Sequence, residues 1–133
     1  MPSRFQLRVI DEFVGWARAQ GYVPAGGAVR LRDRIAILLQ ARADYLDKPD
    51  PTRWRSGDVH ELLMAYVAPR QVDLWNLAEH GVATIRDYLR FLDATDRPHP
   101  ASTRVATLLK EVDRLAPKYP AGEIGRASCR ERV

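Results

Sequence analysis

The chain has 133 residues, of which 46% are apolar and 29% charged, with a net charge of +4 and one cysteine, Cys129. This length suits one domain with its own core, and a lone thiol excludes a disulfide framework and a multi-thiolate metal centre. No apolar run approaches the roughly 20 residues of a membrane span, and charge interrupts the N-terminus too early for a signal peptide. A bacterial, cytoplasmic protein is predicted.

The first predicted helix covers about residues 4–20, in the sequence SRFQLRVIDEFVGWARAQG. Ser3 is placed to cap its first turn with Gln6 at the capping-box position, and Gly21 is placed to end it in a left-handed conformation. Trp16 either broadens the apolar face or contacts a partner. That face recurs at spacings of three and four and comprises Phe5, Val9, Ile10, Phe13, Val14 and Ala17.

The connector GYVPAGG precedes a second predicted helix at about residues 28–46. The motif DKPDPT then interrupts the helical pattern, because Pro49 and Pro51 each disfavour helix at the preceding residue. A third helix is predicted to begin at Asp58, which has the spacing of a capping pair with Glu61, and to end at Pro69.

Three further helical segments complete the predicted fold. A short fourth helix is capped at Asp73 and stops at Gly81, a fifth covers about residues 82–92, and the last starts near Ser102. No alternating β pattern competes. The sequence therefore predicts an all-α fold: a single compact bundle of about six helices with short connectors.

Residues with catalytic or metal-binding side chains form no complete motif. His60-Glu61 opens a zinc-like helix, but Met64 stands where the second histidine is needed. His80 and His99 are predicted to be solvated or capping groups. The serine of RSGD lacks a nucleophile elbow, and GYVPAGG is not a phosphate-binding loop. We therefore predict a non-enzymatic protein with no catalytic residue, no metal and no cofactor.

Two sets of side chains are candidates for binding. Aromatic residues often anchor protein interfaces, although a core position is the alternative for each; the four candidates are Trp16, Trp54, Trp75 and Tyr88. Clustered arginines can contact nucleic-acid phosphates, but aspartates lie among them here. The five arginine candidates are Arg30, Arg32, Arg34, Arg53 and Arg55.

The run WRSGDVHELLMAYVAPRQV, followed by VATIRDYLRFLDAT, resembles a group of uncharacterised actinobacterial helical proteins. Those proteins pair a W-x-x-G-D-[VL] helix start with a Pro-Arg/Lys-x-Val stop and an aromatic-rich helix, and their chains continue beyond the last helix. The resemblance implies no activity. The matching residues are Trp54, Gly57, Asp58, Val59, Pro69, Arg70, Val72, Tyr88, Leu89, Phe91 and Leu92.

A second resemblance links EFVGWARAQG and TIRDYLRFLDAT to the helical core-binding arm of tyrosine recombinases, which clamps DNA ahead of a catalytic domain. The catalytic arginine, histidine and tyrosine of that family belong downstream, so none is assigned here. The chain departs from the family in its DKPDP break and in its balanced charge.

The last segment, EIGRASCRERV at residues 123–133, has the sequence encoded by a common short-read sequencing adapter that ends in a stop codon. We predict that it is a read-through artefact and that residues 1–122 are a helical domain truncated at its C-terminus. Without this segment the 21 basic and 17 acidic residues become 18 and 15, so the net charge falls from +4 to +3.

Two functions are therefore predicted. The first is a non-enzymatic helical interaction module with an unknown protein partner, and the alternative is the DNA-binding arm of a recombinase-like protein. A membrane partner is not predicted, and the oligomeric state stays open.

Overall fold

The computed structural model describes residues 3–22, 27–67 and 77–119. Within those ranges the chain is helical and has no β-strand, which confirms the predicted all-α class. The described residues form five helices, where six were predicted for the chain: α1 (Arg4–Gln20), α2 (Gly27–Tyr45), α3 (Asp58–His60, continuing as a π-helix, Glu61–Val67), α4 (Leu77–Ala94) and α5 (Val105–Leu115, followed by a 3-10 turn, Ala116–Lys118). The predicted stop at Pro69 and the predicted adapter segment lie outside the described residues.

Both ends of α1 follow its local sequence signals. Ser3 Oγ accepts a hydrogen bond from the Gln6 N–H at 3.0 Å, and Gly21 takes a left-handed φ of 79°. The Gln6 side chain is buried and donates instead to Gln40 Oε1 of α2 at 3.4 Å. Gln6 thus occupies the position facing α2, which leaves the preceding residue, Phe5, exposed rather than in the predicted apolar face.

The predicted helix end at Gly81 is wrong, because α4 continues through this residue as one helix. A Cβ added at Gly81 would lie 2.6 Å from the Tyr119 hydroxyl, so the glycine permits a close approach between α4 and the chain after α5. The predicted fourth and fifth helices are therefore not separated at Gly81. The predicted cap Asp73 lies outside the described residues.

The core lies between all five helices and includes an aromatic cluster. Phe13 of α1 contacts Tyr88 of α4 edge-on, with ring centroids 5.4 Å apart, and contacts Phe91 at 5.6 Å. Each ring is buried, so α1 and α4 are joined by rigid side chains. Among the described helices, none combines the length and the apolar content that crossing a bilayer requires.

Candidate functional site

The segment between α2 and α3, residues 46–57, is called the proline loop here. Hydrogen bonds join it to the α4–α5 connector, residues 95–104. The Trp54 N–H donates to Ser102 Oγ at 3.0 Å, and the Thr103 N–H donates to the Trp54 carbonyl at 2.8 Å. Ser102, predicted near the start of the last helix, is therefore used to hold the proline loop and lies outside α5.

Trp54 and Tyr88 lie in the core, which corrects their prediction as surface anchors. Their side chains are 1% and 0% exposed. Trp54 Nε1 donates to the Pro51 carbonyl at 2.9 Å, and the Tyr88 hydroxyl donates to the same carbonyl at 2.6 Å. Burial raises the pKa of the Tyr88 phenol, so its hydroxyl stays a donor. Both rings therefore hold the proline loop in place and are not exposed to contact a partner.

Arg42 of α2 holds the proline loop from the inside. Its guanidinium lies 4.0 Å from the centroid of the Trp54 ring system. Nη1 donates to the carbonyls of Lys48 at 3.1 Å and Asp50 at 2.7 Å, and Nη2 donates to the carbonyl of Arg53. A single buried fork of donors thus serves three loop carbonyls, of which that of Asp50 also accepts from the Arg53 N–H at 3.3 Å.

The charge of Arg42 is compensated by Asp58, which is also buried. Asp58 Oδ2 lies 3.7 Å from Arg42 Nη2, and Oδ1 accepts from Lys48 Nζ at 2.9 Å. Desolvation lowers the pKa of Arg42, and the Asp58 charge opposes that shift.

Asp58 is not the cap of α3. The cap position belongs to Gly57, which has a φ of 93°. The Asp58 carboxylate reaches back to accept from the Arg55 N–H at 2.8 Å. Glu111 of α5 supplies the missing cap, accepting from the N–H groups of Gly57 and His60 at 2.9 Å each. The start of α3 is therefore completed by tertiary contacts, which the predicted pairing of Asp58 with Glu61 did not include.

A cavity of about 610 Å³ lies beside the proline loop. It is lined by residues of the proline loop, by Arg42 of α2, by Asp58 of α3 and by His99 of the α4–α5 connector. In the described part of the chain, the side chains of Arg53 and Arg55 have no hydrogen-bond or ion-pair partner, and both are exposed. The charged and imidazole residues at the cavity are Arg42, Asp47, Lys48, Asp50, Arg53, Arg55, Asp58 and His99.

The five arginine candidates do not form one basic surface. Arg34 is 0% exposed, which corrects its prediction as a phosphate contact. Arg32 forms an ion pair with Asp11 of α1, and Arg30 is exposed one turn away from Arg34. Arg32 lies ten positions before Arg42, which lines the cavity, and is therefore about 15 Å away from that end of the site along the α2 axis. The structure therefore brings together only Arg53 and Arg55, at the cavity.

The other two aromatic candidates have different outcomes. Trp16 is half-buried against the core, with its ring 5.9 Å from that of Phe91 and 5.5 Å from that of Tyr22. Trp75 lies outside the described residues. Neither provides a described, freely exposed ring.

Another aromatic pair lies at the end of α2, with one ring exposed and the other half-buried against the core. Tyr45 is 64% exposed, and its ring stacks on that of Tyr66 with centroids 4.6 Å apart and planes at 26°. Tyr66 belongs to the π-helix of α3, a form with i→i+5 hydrogen bonds that is common at functional sites. The sequence analysis did not single out either tyrosine.

The histidines are dispersed. His60 is exposed, His80 lies within α4, and His99 Nδ1 accepts from the Ala101 N–H at 2.9 Å. Across the described ranges, no three His, Cys, Asp or Glu residues lie close enough together to hold a metal ion.

The chain matches no family model, no curated protein and no solved structure. Both family resemblances therefore stay predictions. The residue that sequence reasoning missed most completely is Arg42. The only signal for it was the DKPDPT break, whose carbonyls need donors, but the sequence does not show which side chain supplies them.

Proposed function

We propose that this protein is a non-enzymatic interaction module, and that the Tyr45–Tyr66 pair contacts an apolar or aromatic side chain of a partner protein. The observation that carries the proposal is the exposure of Tyr45 in a stacked arrangement. Tyrosine suits such a contact because its ring offers apolar area and its hydroxyl offers a hydrogen bond.

The stacking matters energetically as well as chemically. A side chain that is already held in one orientation loses less conformational entropy when a partner binds. Stacking against Tyr66 of α3 restricts the orientation of the Tyr45 ring. The two rings come from different helices, so the surface they form depends on the tertiary fold. Tyrosine is also enriched among the residues that dominate interface energetics.

A photo-crosslinking amino acid at position 45, compared with one at position 29, would identify the partner in cells. Val29 is the matched control because it is 70% exposed at the other end of α2. With the purified partner, we expect Tyr45→Ala to raise Kd by at least about tenfold and Val29→Ala by less than about twofold.

Thermal unfolding of both variants would show that the fold is retained, since both side chains are mostly exposed. A Tyr45→Ala variant that binds the purified partner as tightly as the wild type would contradict the proposed surface. Equal crosslinking at positions 45 and 29 would also contradict it.

DNA binding is a second proposal, supported only by the unpartnered side chains of Arg53 and Arg55. Two phosphate contacts would give a log–log salt slope of about −2 for a duplex. Fluorescence anisotropy of a labelled duplex between about 50 and 200 mM salt measures this slope. Binding that does not respond to salt, or an absence of binding, would contradict the DNA proposal.

A further inference from the structure

We propose that the cavity beside the proline loop is a binding site for a phosphate group, with Arg53 and Arg55 as its principal ligands. This inference does not depend on the Tyr45–Tyr66 surface, because it uses different residues. It goes beyond the DNA proposal by placing one phosphate in one cavity, whatever molecule carries it.

Two carboxylates at the cavity already accept hydrogen bonds from the protein. Asp58 is shared by Arg42, Lys48 and the Arg55 N–H. Asp50 Oδ1 accepts from the Thr52 N–H at 2.9 Å and from the Thr52 hydroxyl at 2.7 Å. These contacts leave the guanidinium groups of Arg53 and Arg55 as the cationic groups at the cavity that have no partner among the described residues.

Guanidinium groups match the geometry of phosphate oxygens because their planar donors can form two parallel hydrogen bonds. A phosphate monoester carries a charge of about −1.5 to −2 near neutral pH, which complements two unpaired guanidinium groups. The cavity volume, about 610 Å³, lies within the roughly 300–1,000 Å³ range of small-molecule sites. The site is therefore large enough for a phosphate and for part of the molecule that carries it.

Two further groups at the cavity can donate to the same ligand. Lys48 Nζ uses one N–H on Asp58 and has two more. His99 Nδ1 accepts from the Ala101 N–H, so a neutral His99 ring carries its proton on Nε2. Arg42 adds a buried positive charge behind the cavity, and its Nε has no hydrogen-bond partner among the described residues.

Two carboxylates at the cavity oppose an anion: Asp50, whose hydrogen bonds from Thr52 leave its charge in place, and Asp47. Asp47 is the more accessible of the two. It borders the cavity, is exposed and has no partner among the described residues. Its φ is 55°, in the left-handed region that asparagine also tolerates. The substitution Asp47→Asn therefore removes a negative charge from the site without straining the backbone, and provides a variant in which affinity should rise.

Isothermal titration with inorganic pyrophosphate at low ionic strength tests the site. Relative to the wild type, we expect the double variant Arg53→Gln, Arg55→Gln to weaken binding at least about tenfold. The control, Arg8→Gln with Arg18→Gln, removes the same charge from two exposed positions of α1 and should change Kd less than about twofold. Asp47→Asn should tighten binding about threefold.

Thermal unfolding of every variant should match the wild type, because the proline loop uses the Arg53 carbonyl and the Arg55 N–H rather than their side chains. The inference is overturned if the wild type does not bind pyrophosphate, or if the α1 variant loses as much affinity as the cavity variant. It is also overturned if Asp47→Asn fails to strengthen binding.

Competition identifies the source of the phosphate. Displacement of pyrophosphate by a short DNA duplex would indicate a nucleic-acid backbone, and displacement by a nucleoside diphosphate alone would indicate a small phosphorylated compound. Both results support the site. If neither competitor displaces pyrophosphate, even at a concentration at which pyrophosphate itself saturates the site, the result counts against a phosphate-bearing ligand.

Discussion

The inner and outer sides of the proline loop use the same residue type in opposite ways. On the inner side, Arg42 is buried with its donors on loop carbonyls and its charge beside Asp58. On the outer side, Arg53 and Arg55 contribute backbone groups to the fold and leave their guanidinium groups in solvent. Around the proline loop, therefore, an arginine is structural where its guanidinium is buried against the loop carbonyls and available for binding where its guanidinium is exposed.

The physical reason is the cost of burying polar groups. A loop that contains Pro49 and Pro51 cannot satisfy its carbonyls through regular helix, so carbonyls that face the core need donors from elsewhere. Arg42 is long enough to provide them, and Asp58 offsets the cost of burying its charge. The guanidinium groups of Arg53 and Arg55 are exposed, so water hydrogen-bonds to them and screens their charge.

The largest difference between the two sides should be in stability. Arg42→Met keeps much of the apolar stem but removes the donors to three carbonyls and a charge beside Asp58. We expect the free energy of unfolding to fall by about 3–5 kcal/mol. Urea denaturation measures this change, with Arg55→Met as a control that should alter stability by less than about 0.5 kcal/mol.

A small effect of Arg42→Met, below about 1 kcal/mol, would show that Lys48 alone compensates Asp58 and that the loop carbonyls find other donors. The inner side would then be no more structural than the outer one. A change in urea m-value would instead indicate that the loop opens in the folded state.

The sequence predicted the parts of the fold that depend on neighbouring residues. Ser3 and Gly21 mark the ends of α1 because a cap and a left-handed glycine act within a few positions. The same local rules wrongly predicted a helix end at Gly81. Its role is a close contact with Tyr119, which lies 38 positions further along the chain. A glycine that permits close packing and one that ends a helix have the same local sequence signal.

The candidate site was less predictable for the same reason. Trp54 and Arg34 were plausible surface residues by type, but both are buried. Arg53 and Arg55 were chosen for their charge, and the cavity that they share depends on the contact between the proline loop and the α4–α5 connector. Tyr45 and Tyr66 meet only when α2 packs beside α3. None of these contacts is set by a local pattern.

A smaller effect on the inner side should appear at high pH. An unfolded tyrosine ionises near pH 10, whereas burial raises the pKa of Tyr88 above this ordinary value. Above pH 10 the folded state keeps the Tyr88 proton that the unfolded state has lost, so stability should fall as pH rises. The slope from this one group is about 1.4 kcal/mol per pH unit.

Urea denaturation at several pH values above neutrality measures that slope. Tyr88→Phe should be less stable than the wild type near neutral pH, by about 1 kcal/mol for the lost hydrogen bond to Pro51, and should lack this part of the alkaline slope. Tyr45→Phe, which changes an exposed ring, is the control and should keep it. Equal slopes for the wild type and Tyr88→Phe would contradict the assignment of Tyr88 to the inner side.

The smallest effect should come from the outer side. The double variant Arg53→Ala, Arg55→Ala retains the carbonyl that accepts from Arg42 and the N–H that donates to Asp58. We therefore expect the free energy of unfolding to change by less than about 0.5 kcal/mol per substitution. Urea denaturation measures this change. A loss above about 2 kcal/mol would mean that these side chains brace the loop, and the inner and outer sides would then share one structural role.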